Sequence, residues 1–241
     1  KVIQAVLEKK DNLVIMPTGG GKSICYQLPA LVLKGVTLVL SPLIALMKDQ
    51  VDGMNANGIP SAYLNSSQSN SEVETVIQKL TTGALKLLYL APESLKTFET
   101  LIAELPIGLI AIDEAHCISS WGHDFRPAYT QLHFLKKQWP TIPIIALTAT
   151  ADKATRSDIL NQLNLKNAEQ HIASFDRPNL SLEVQVAHNR ITKIVTFIKE
   201  RPNSSGIVYC LSRKTTEQVA NSLQKKGYKA KAYHAGLPAE E

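Results

Sequence analysis

An α/β fold with a doubly wound parallel sheet is what this sequence predicts, and three observations predict it. Short apolar runs recur between Leu13 and Leu147, bounded by Gly, Pro, Asn or Asp and almost without internal alternation. That is the pattern of strands buried on both faces. Amphipathic stretches of helical length lie between the runs, so strands and helices alternate. A glycine-rich turn joins the first run to the first long helix, as in a phosphate-binding strand–loop–helix unit.

The elements follow in order. Strands are expected at 13–16, 37–40, 87–90, 109–112 and 144–147, and helices at 23–33, 43–54, 71–80, 94–104 and 152–163. The pattern pauses at Phe175-Asp-Arg-Pro-Asn179, which is polar and turn-like and reads as a linker. Beyond it come a strand at 182–186, a helix at 191–200, a strand at 206–210, a helix at 214–226 and a strand at 230–233. This looks like the opening of a second α/β domain, so the expected division is 1–174 and 175–241. The second part is shorter than a typical domain.

Composition narrows the class. Hydrophobic residues make up 44% of the 241 residues, enough for a buried core. The formal net charge of +5 is unevenly placed: residues 175–241 hold 11 basic and 6 acidic side chains, and the rest of the chain is balanced. A local basic excess suits a polyanionic partner, or is a solvated lysine-rich face. Cys25, Cys117 and Cys210 are widely spaced and odd in number, which favours neither a disulfide framework nor a zinc cluster and suits a reducing compartment. No apolar run reaches the length of a membrane span. A cytoplasmic protein with no membrane partner is the expectation. From the missing initiator Met and abrupt end, the expectation is a fragment of a longer chain.

Met16-Pro-Thr-Gly-Gly-Gly-Lys-Ser23 follows an expected strand and opens an expected helix. Glycines let backbone N–H groups turn inward around phosphate oxygens, and the helix N-terminus adds its positive end. Pro17, Thr18, Gly19, Gly20, Gly21, Lys22 and Ser23 form the candidate ATP loop. Lys22 reaches the outer phosphates and the Ser23 hydroxyl ligates Mg²⁺. The full phosphate-loop pattern has Gly where this chain has Met16, and the bland alternative is a glycine-rich turn with an incidental lysine.

Leu109-Ile-Ala-Ile-Asp113-Glu-Ala-His116 is an apolar run ending in two carboxylates. Ligands of α/β sheets sit at the carboxyl ends of strands, so Asp113 and Glu114 should meet the phosphate loop. Asp113 can hold Mg²⁺ through its water shell, and Glu114 can polarise the water that attacks the γ-phosphate. Alone, such a pair is more often a helix-start charge signal.

These residues resemble superfamily 2 helicases, motifs I and II, and further segments resemble the RecQ family, most of all its bacterial branch. Ser41-Pro-Leu-Ile-Ala-Leu-Met-Lys-Asp-Gln50 resembles motif Ia, and Ala146-Leu-Thr-Ala-Thr150 resembles motif III. Cys117-Ile-Ser-Ser-Trp-Gly-His-Asp-Phe-Arg-Pro127 resembles the aromatic-rich loop that sets RecQ proteins apart. Ser174–Asn179, Tyr209-Cys-Leu-Ser-Arg213 and Tyr233-His-Ala-Gly-Leu237 resemble the entry and first motifs of a second motor domain. The resemblance implies a RecA-like domain followed by the start of another. It implies an ATP- and Mg²⁺-dependent 3′-to-5′ DNA helicase of recombination and repair, acting on single-stranded and partly duplex DNA near the bacterial nucleoid.

By matching position, the resemblance gives Trp121, Phe125 and Arg126 contact with single-stranded DNA. It gives His116, Thr148 and Thr150 the coupling of nucleotide state to DNA, and gives Ser212 and Arg213 contact with DNA backbone. Exposed aromatic faces stack on any base, which agrees. The bland readings are a satellite apolar cluster for the loop, a helix cap before Asp152 for the threonines, and a solvated helix-start cation for Arg213. The family's adenine-reading segment should lie upstream of Lys1 and its later motor motifs beyond Glu241. Three rivals stand beside this reading. They are an RNA helicase of the DEAH type, a double-strand DNA translocase, and a nucleotide-binding scaffold without hydrolysis. The aromatic-rich loop argues against the first and Glu114 against the last.

Overall fold

The computed structural model describes residues 1–65, 68–119, 124–174, 176, 178–186 and 188–237. The chain divides into two compact units, Lys1–Asp176 and Arg177–Glu241.

The first unit begins with α1 (Val2–Leu7), β1 (Asn12–Ile15), α2 (Ile24–Val32), β2 (Val36–Leu40) and α3 (Ile44–Ala56). It continues through β3 (Ser61–Leu64), α4 (Asn70–Thr81), β4 (Leu87–Leu90), α5 (Glu99–Glu104) and β5 (Ile107–Ile112). Two one-turn helices follow, α6 (Pro127–Thr130) and α7 (Leu135–Gln138), then β6 (Ile144–Thr148), α8 (Lys153–Gln162) and β7 (Glu169–Ile172). The strands form one seven-stranded sheet in the order β3-β4-β2-β5-β6-β1-β7, with every pairing parallel.

Period-two alternation splits the buried side chains between the two faces. Leu13, Ile15, Leu38, Leu40, Ile110 and Ile112 join the cluster under α4, α5 and α8. Val14, Val39, Leu109, Ala111 and Leu147 join the cluster under α1, α2 and α3. Helices on both faces make the sheet doubly wound, and they explain why β1, β2 and β4–β6 read as unbroken apolar runs.

The edges read differently. β7 is Glu-Gln-His-Ile with alternating exposure, and β3 is a short Ser-Ala-Tyr-Leu. Polar or short edge strands carry no apolar run, so neither was expected from sequence. The helix expected at 94–104 begins only at Glu99. Three-residue turns, Ser94 N–H to Ala91 O and Leu95 N–H to Pro92 O, hold the chain tight after β4.

The second unit contains α9 (Arg190–Lys199) and α10 (Arg213–Gln224). The strands expected at 182–186, 206–210 and 230–233 are corrected: among the described residues these segments join no ladder. Leu182, Val184, Ile207, Tyr209 and Tyr233 are exposed. An apolar run becomes a strand only when a neighbouring strand takes up its N–H and C=O groups. No helix among the described residues is long and apolar enough to cross a membrane.

Candidate active site

Three loops leave the same edge of the sheet. β1 pairs with β6, Ile15 opposite Thr148, and β6 pairs with β5, Ala146 opposite Ile112. The segments after Ile15, Ile112 and Thr148 are therefore neighbours at the carboxyl edge. Two backbone bonds extend the ladder there: Met16 N–H to Thr148 O at 3.2 Å and Asp113 N–H to Leu40 O at 2.8 Å.

The loop after β1 is closed by Gly20 N–H donating to Pro17 O at 2.9 Å. Gly19 and Gly21 have φ of +79° and +81°, a region costly for any side chain. A Cβ at Gly20 would stand 2.9 Å from Pro17 O, so the turn has room for hydrogen only. Thr18, Gly19 and Gly20 are exposed, and Pro17, Lys22 and Ser23 are half-buried. Lys22 Nζ donates to Met16 O at 3.3 Å, folding the ammonium back over its own loop. Ser23 is the N-cap of α2, but its side chain makes no capping bond. Its carbonyl accepts from Gln27 N–H at 2.9 Å, the first full turn of the helix.

The loop after β5 carries the carboxylates. Alternation along β5 points Asp113 to the α2 face, opposite to Ile112. Burial is the main influence on the Asp113 carboxyl and the adjacent Glu114 charge adds to it, raising its pKa to about 6. The Glu114 N–H, 3.0 Å from Asp113 Oδ1, and the charges of Lys22 and His116 pull the other way. The Lys22 loop and the β5 carboxylate thus share one electrostatic environment. Tyr129, fully buried, donates its hydroxyl to Asp113 O at 2.9 Å and fixes the backbone there. Glu114 has φ 47° and ψ 44°, the left-handed region, at a cost of roughly 1–2 kcal/mol for a residue with a Cβ.

His116 connects this loop to β6. Its Nδ1 stands 2.8 Å from Thr148 Oγ1 and 3.3 Å from Glu114 Oε2. Thr148 Oγ1 donates to Thr150 O at 3.0 Å and accepts from Thr150 N–H at 3.2 Å. With its one hydroxyl hydrogen so used, Thr148 accepts from the His116 ring, which places a ring N–H at Nδ1. The cap of α8 is instead Asp152, which accepts from Thr155 N–H at 2.7 Å. The two threonines are therefore not its cap.

The aromatic-rich segment follows directly. Trp121 lies outside the described residues. Phe125 is 42% exposed, a large apolar ring open to solvent. Arg126 Nη1 donates to Pro42 O at 3.0 Å and lies 3.7 Å from Glu93 Oε1, so the guanidinium ties this segment to the connection between β2 and α3. Its backbone N–H donates to Cys117 O at 2.9 Å. In the second unit, Ser212 caps α10, accepting from Thr215 N–H at 3.1 Å. Arg213 lies against Gly236, whose added Cβ would stand 2.9 Å from the guanidinium. His234 bonds Glu217 at 3.1 Å beside it.

Sequence reasoning missed Tyr129, Pro42 and Asp124, the last of which is 3.7 Å from His116 Nε2. Pro42 and Asp124 lay in quoted motifs that could have flagged them; Tyr129 did not. A pocket of about 430 Å³ between α5 and α7, lined by Leu95, Ile102, Phe134 and Trp139 among others, includes none of the site residues.

Residues 1–159 match the family model described as DEAD/DEAH box helicase. The ATP-dependent DNA helicase RecQ of Pasteurella multocida is 54% identical over 243 residues, covering 100% of this chain and 38% of the relative. The RecQ-like DNA helicase BLM of Xenopus laevis is 42% identical over 249 residues, 98% of this chain and 18% of the relative. The chain thus spans less than half the length of these relatives. The crystal structure of the DUF1998 helicase MrfA superposes with a TM-score of 0.69 at 21% identity, over 99% of this chain and 39% of that one, a likeness of fold. With its family pattern met over residues 1–159 and RecQ helicases matched along its whole length, the chain belongs to the DEAD/DEAH box helicase family.

Proposed function

We propose that this chain carries the ATP-hydrolysing part of a 3′-to-5′ DNA helicase, with residues 175–241 contributing the start of a second motor domain. One observation carries the reading: the Lys22 loop and the Asp113–Glu114 pair follow strands joined through β6 at one sheet edge, and a helicase-type aromatic segment continues straight from the carboxylates. MrfA, a fold relative, has been crystallised bound to DNA. Recombination and repair in the cytoplasm, at the nucleoid, is the setting we assign, on the resemblance to bacterial RecQ proteins.

The residues fit a magnesium nucleotide. Asp113 and Glu114 crowd two carboxyls on consecutive residues, Asp113 sits in a desolvated place, and the Ser23 hydroxyl stands at the head of α2, where Tyr26 is its neighbour. A cation held by Ser23 and Asp113 would supply positive charge to the phosphates. Lys22 and the backbone N–H groups of Gly19, Gly21, Lys22 and Ser23 would hold the phosphate tail, the Gly20 N–H being taken by Pro17 O. Glu114 orients the attacking water and accepts its proton. His116, bonded to Thr148, relays the state of the β5 loop to the β6 loop. Phe125 and Trp121 offer stacking faces to single-stranded bases, and Arg126, Ser212 and Arg213 offer polar contact with DNA.

The test uses the full-length protein. Lys22→Ala should lower ATP turnover on the order of 10³-fold. Glu114→Gln should lower it about 10²–10⁴-fold with magnesium-nucleotide affinity retained. Strand displacement should need a 3′ tail on DNA; unwinding from RNA tails, or ATP-driven translocation without strand separation, would replace this reading with a rival. Near-normal turnover in both variants would remove the site assignment.

A further inference from the structure

A second, half-buried link runs to the phosphate loop, from Gln50 at the end of the Ser41–Gln50 segment to Gln27. Gln27 lies on α2, one turn after Ser23, and is 9% exposed. Its Nε2 donates to Gln50 Oε1 at 2.8 Å and approaches the Tyr89 hydroxyl at 3.4 Å. Tyr89, on β4, and Tyr26, on α2, are both 1% exposed and meet edge to face with ring centroids 6.4 Å apart. Apolar neighbours around it include Cys25, Ala30, Val39, Met47 and Val51, and the Tyr26 hydroxyl also meets Ser23.

A carboxamide is a poor choice for packing alone. Burying it costs free energy unless its hydrogen bonds are made, whereas leucine of similar size would fill the space without that demand. The polar link has a property leucine lacks: it is satisfied in only one placement of α2 against α3. In an apolar surrounding such a bond is strong when made and costly when broken.

Its two ends lead to the two sites. Gln27 N–H donates to Ser23 O at 2.9 Å, so a shift of Gln27 moves the residue that closes the phosphate loop. Gln50 lies on α3, which begins two residues after Pro42, and Pro42 O is held by Arg126 at 3.0 Å. A continuous chain of bonded groups therefore runs from the aromatic-rich segment through α3 to the start of α2. It is separate from the His116–Thr148 link, which lies on the opposite face of the sheet.

We infer that Gln27, paired with Gln50 and Tyr89, is a positioning residue that sets α2 against α3 and carries DNA occupancy at the aromatic-rich segment to the phosphate loop. The inference rests on the ATP- and DNA-dependent activity proposed above. Spatial continuity alone does not make a coupling path; a double-mutant cycle does.

The experiment measures ATP hydrolysis by the full-length protein with and without saturating single-stranded DNA, for wild type, Gln27→Leu, Gln50→Leu, the double variant and Gln50→Glu. Anisotropy with labelled oligonucleotide and thermal melting accompany it. The expected result is that Gln27→Leu and Gln50→Leu each reduce the DNA-stimulated kcat about tenfold, equivalent to about 1.4 kcal/mol of coupling. Basal kcat and the KM for ATP should stay within about threefold, and DNA affinity likewise, a shift below about 0.7 kcal/mol. The double variant should be no worse than either single one. Gln50→Glu should keep stimulation, because its carboxylate accepts from Gln27 Nε2. Full stimulation in the leucine variants overturns the inference, as do additive losses or losses that follow the melting temperature. A wild-type protein that hydrolyses ATP with no response to DNA overturns the functional reading itself, and so separates the two failures.

Discussion

Ile107-Gly-Leu-Ile-Ala-Ile112 and Gly206-Ile-Val-Tyr-Cys-Leu211 read almost alike, yet they end differently. The first is β5, paired with β2 on one side and β6 on the other and buried along nearly its whole length. The second lies in the smaller unit without a ladder, with Tyr209 91% exposed and Ile207 80% exposed. The difference teaches that an apolar run states a need for burial, not its fulfilment. A parallel strand is made by its neighbours and by the helices that cover both faces. The first unit supplies these to five apolar runs; the described part of the second supplies them to none.

The largest expected contrast is in amide exchange. Amides of 109–112 should exchange at least about 10³-fold more slowly than those of 207–211, because the former open only with the sheet. Equal protection, read by mass spectrometry or NMR, would break the comparison. Next comes a pair of substitutions. Leu109→Ala should cost about 2–5 kcal/mol, the range for a fully buried leucine, while Leu211→Ala should stay within about 0.5 kcal/mol. Chemical denaturation of both variants checks this, and similar losses would mean that 206–211 is packed after all.

The smallest effect sharpens the contrast at the site itself. The Asp113 carboxyl is raised to about 6 in the folded chain from the ordinary 3.8. The folded state therefore holds more protons than the unfolded state between about pH 4 and 6. Its stabilising contribution is complete below pH 4 and lost as pH rises through 6. Without divalent cations, Asp113→Asn should be more stable than wild type at pH 7.5, by on the order of 1 kcal/mol, and equal to it near pH 4. A gap independent of pH, in melts across that range, would remove burial as the cause.

Much of the site could be read because its parts are contiguous. Residues 16–23 declare a strand–loop–helix turn, and Asp113–His116 closes an apolar run; each gains meaning from the other. Topology then brings them to one edge. The unread parts depend on contacts between distant residues. The pairings of Gln27 with Gln50, Arg126 with Pro42, and Tyr129 with the Asp113 carbonyl leave no local pattern, even where one partner sits in a motif. The resemblance gave His116 and Thr148 a shared coupling role but not their bond, since 32 residues separate them. β3 and β7 were hidden for a different reason: an edge strand has only one neighbour and needs no apolar run.

The left-handed backbone at Glu114 bears on any effort to make this protein hardier. A stability screen would favour glycine or asparagine there, since both take that conformation with less strain. The thermostable winner would have lost the carboxylate we assign to water activation, and a melting curve would report only improvement. At this one position resilience and catalysis ask for different amino acids, so a library built for robustness should hold residue 114 fixed or be scored by turnover.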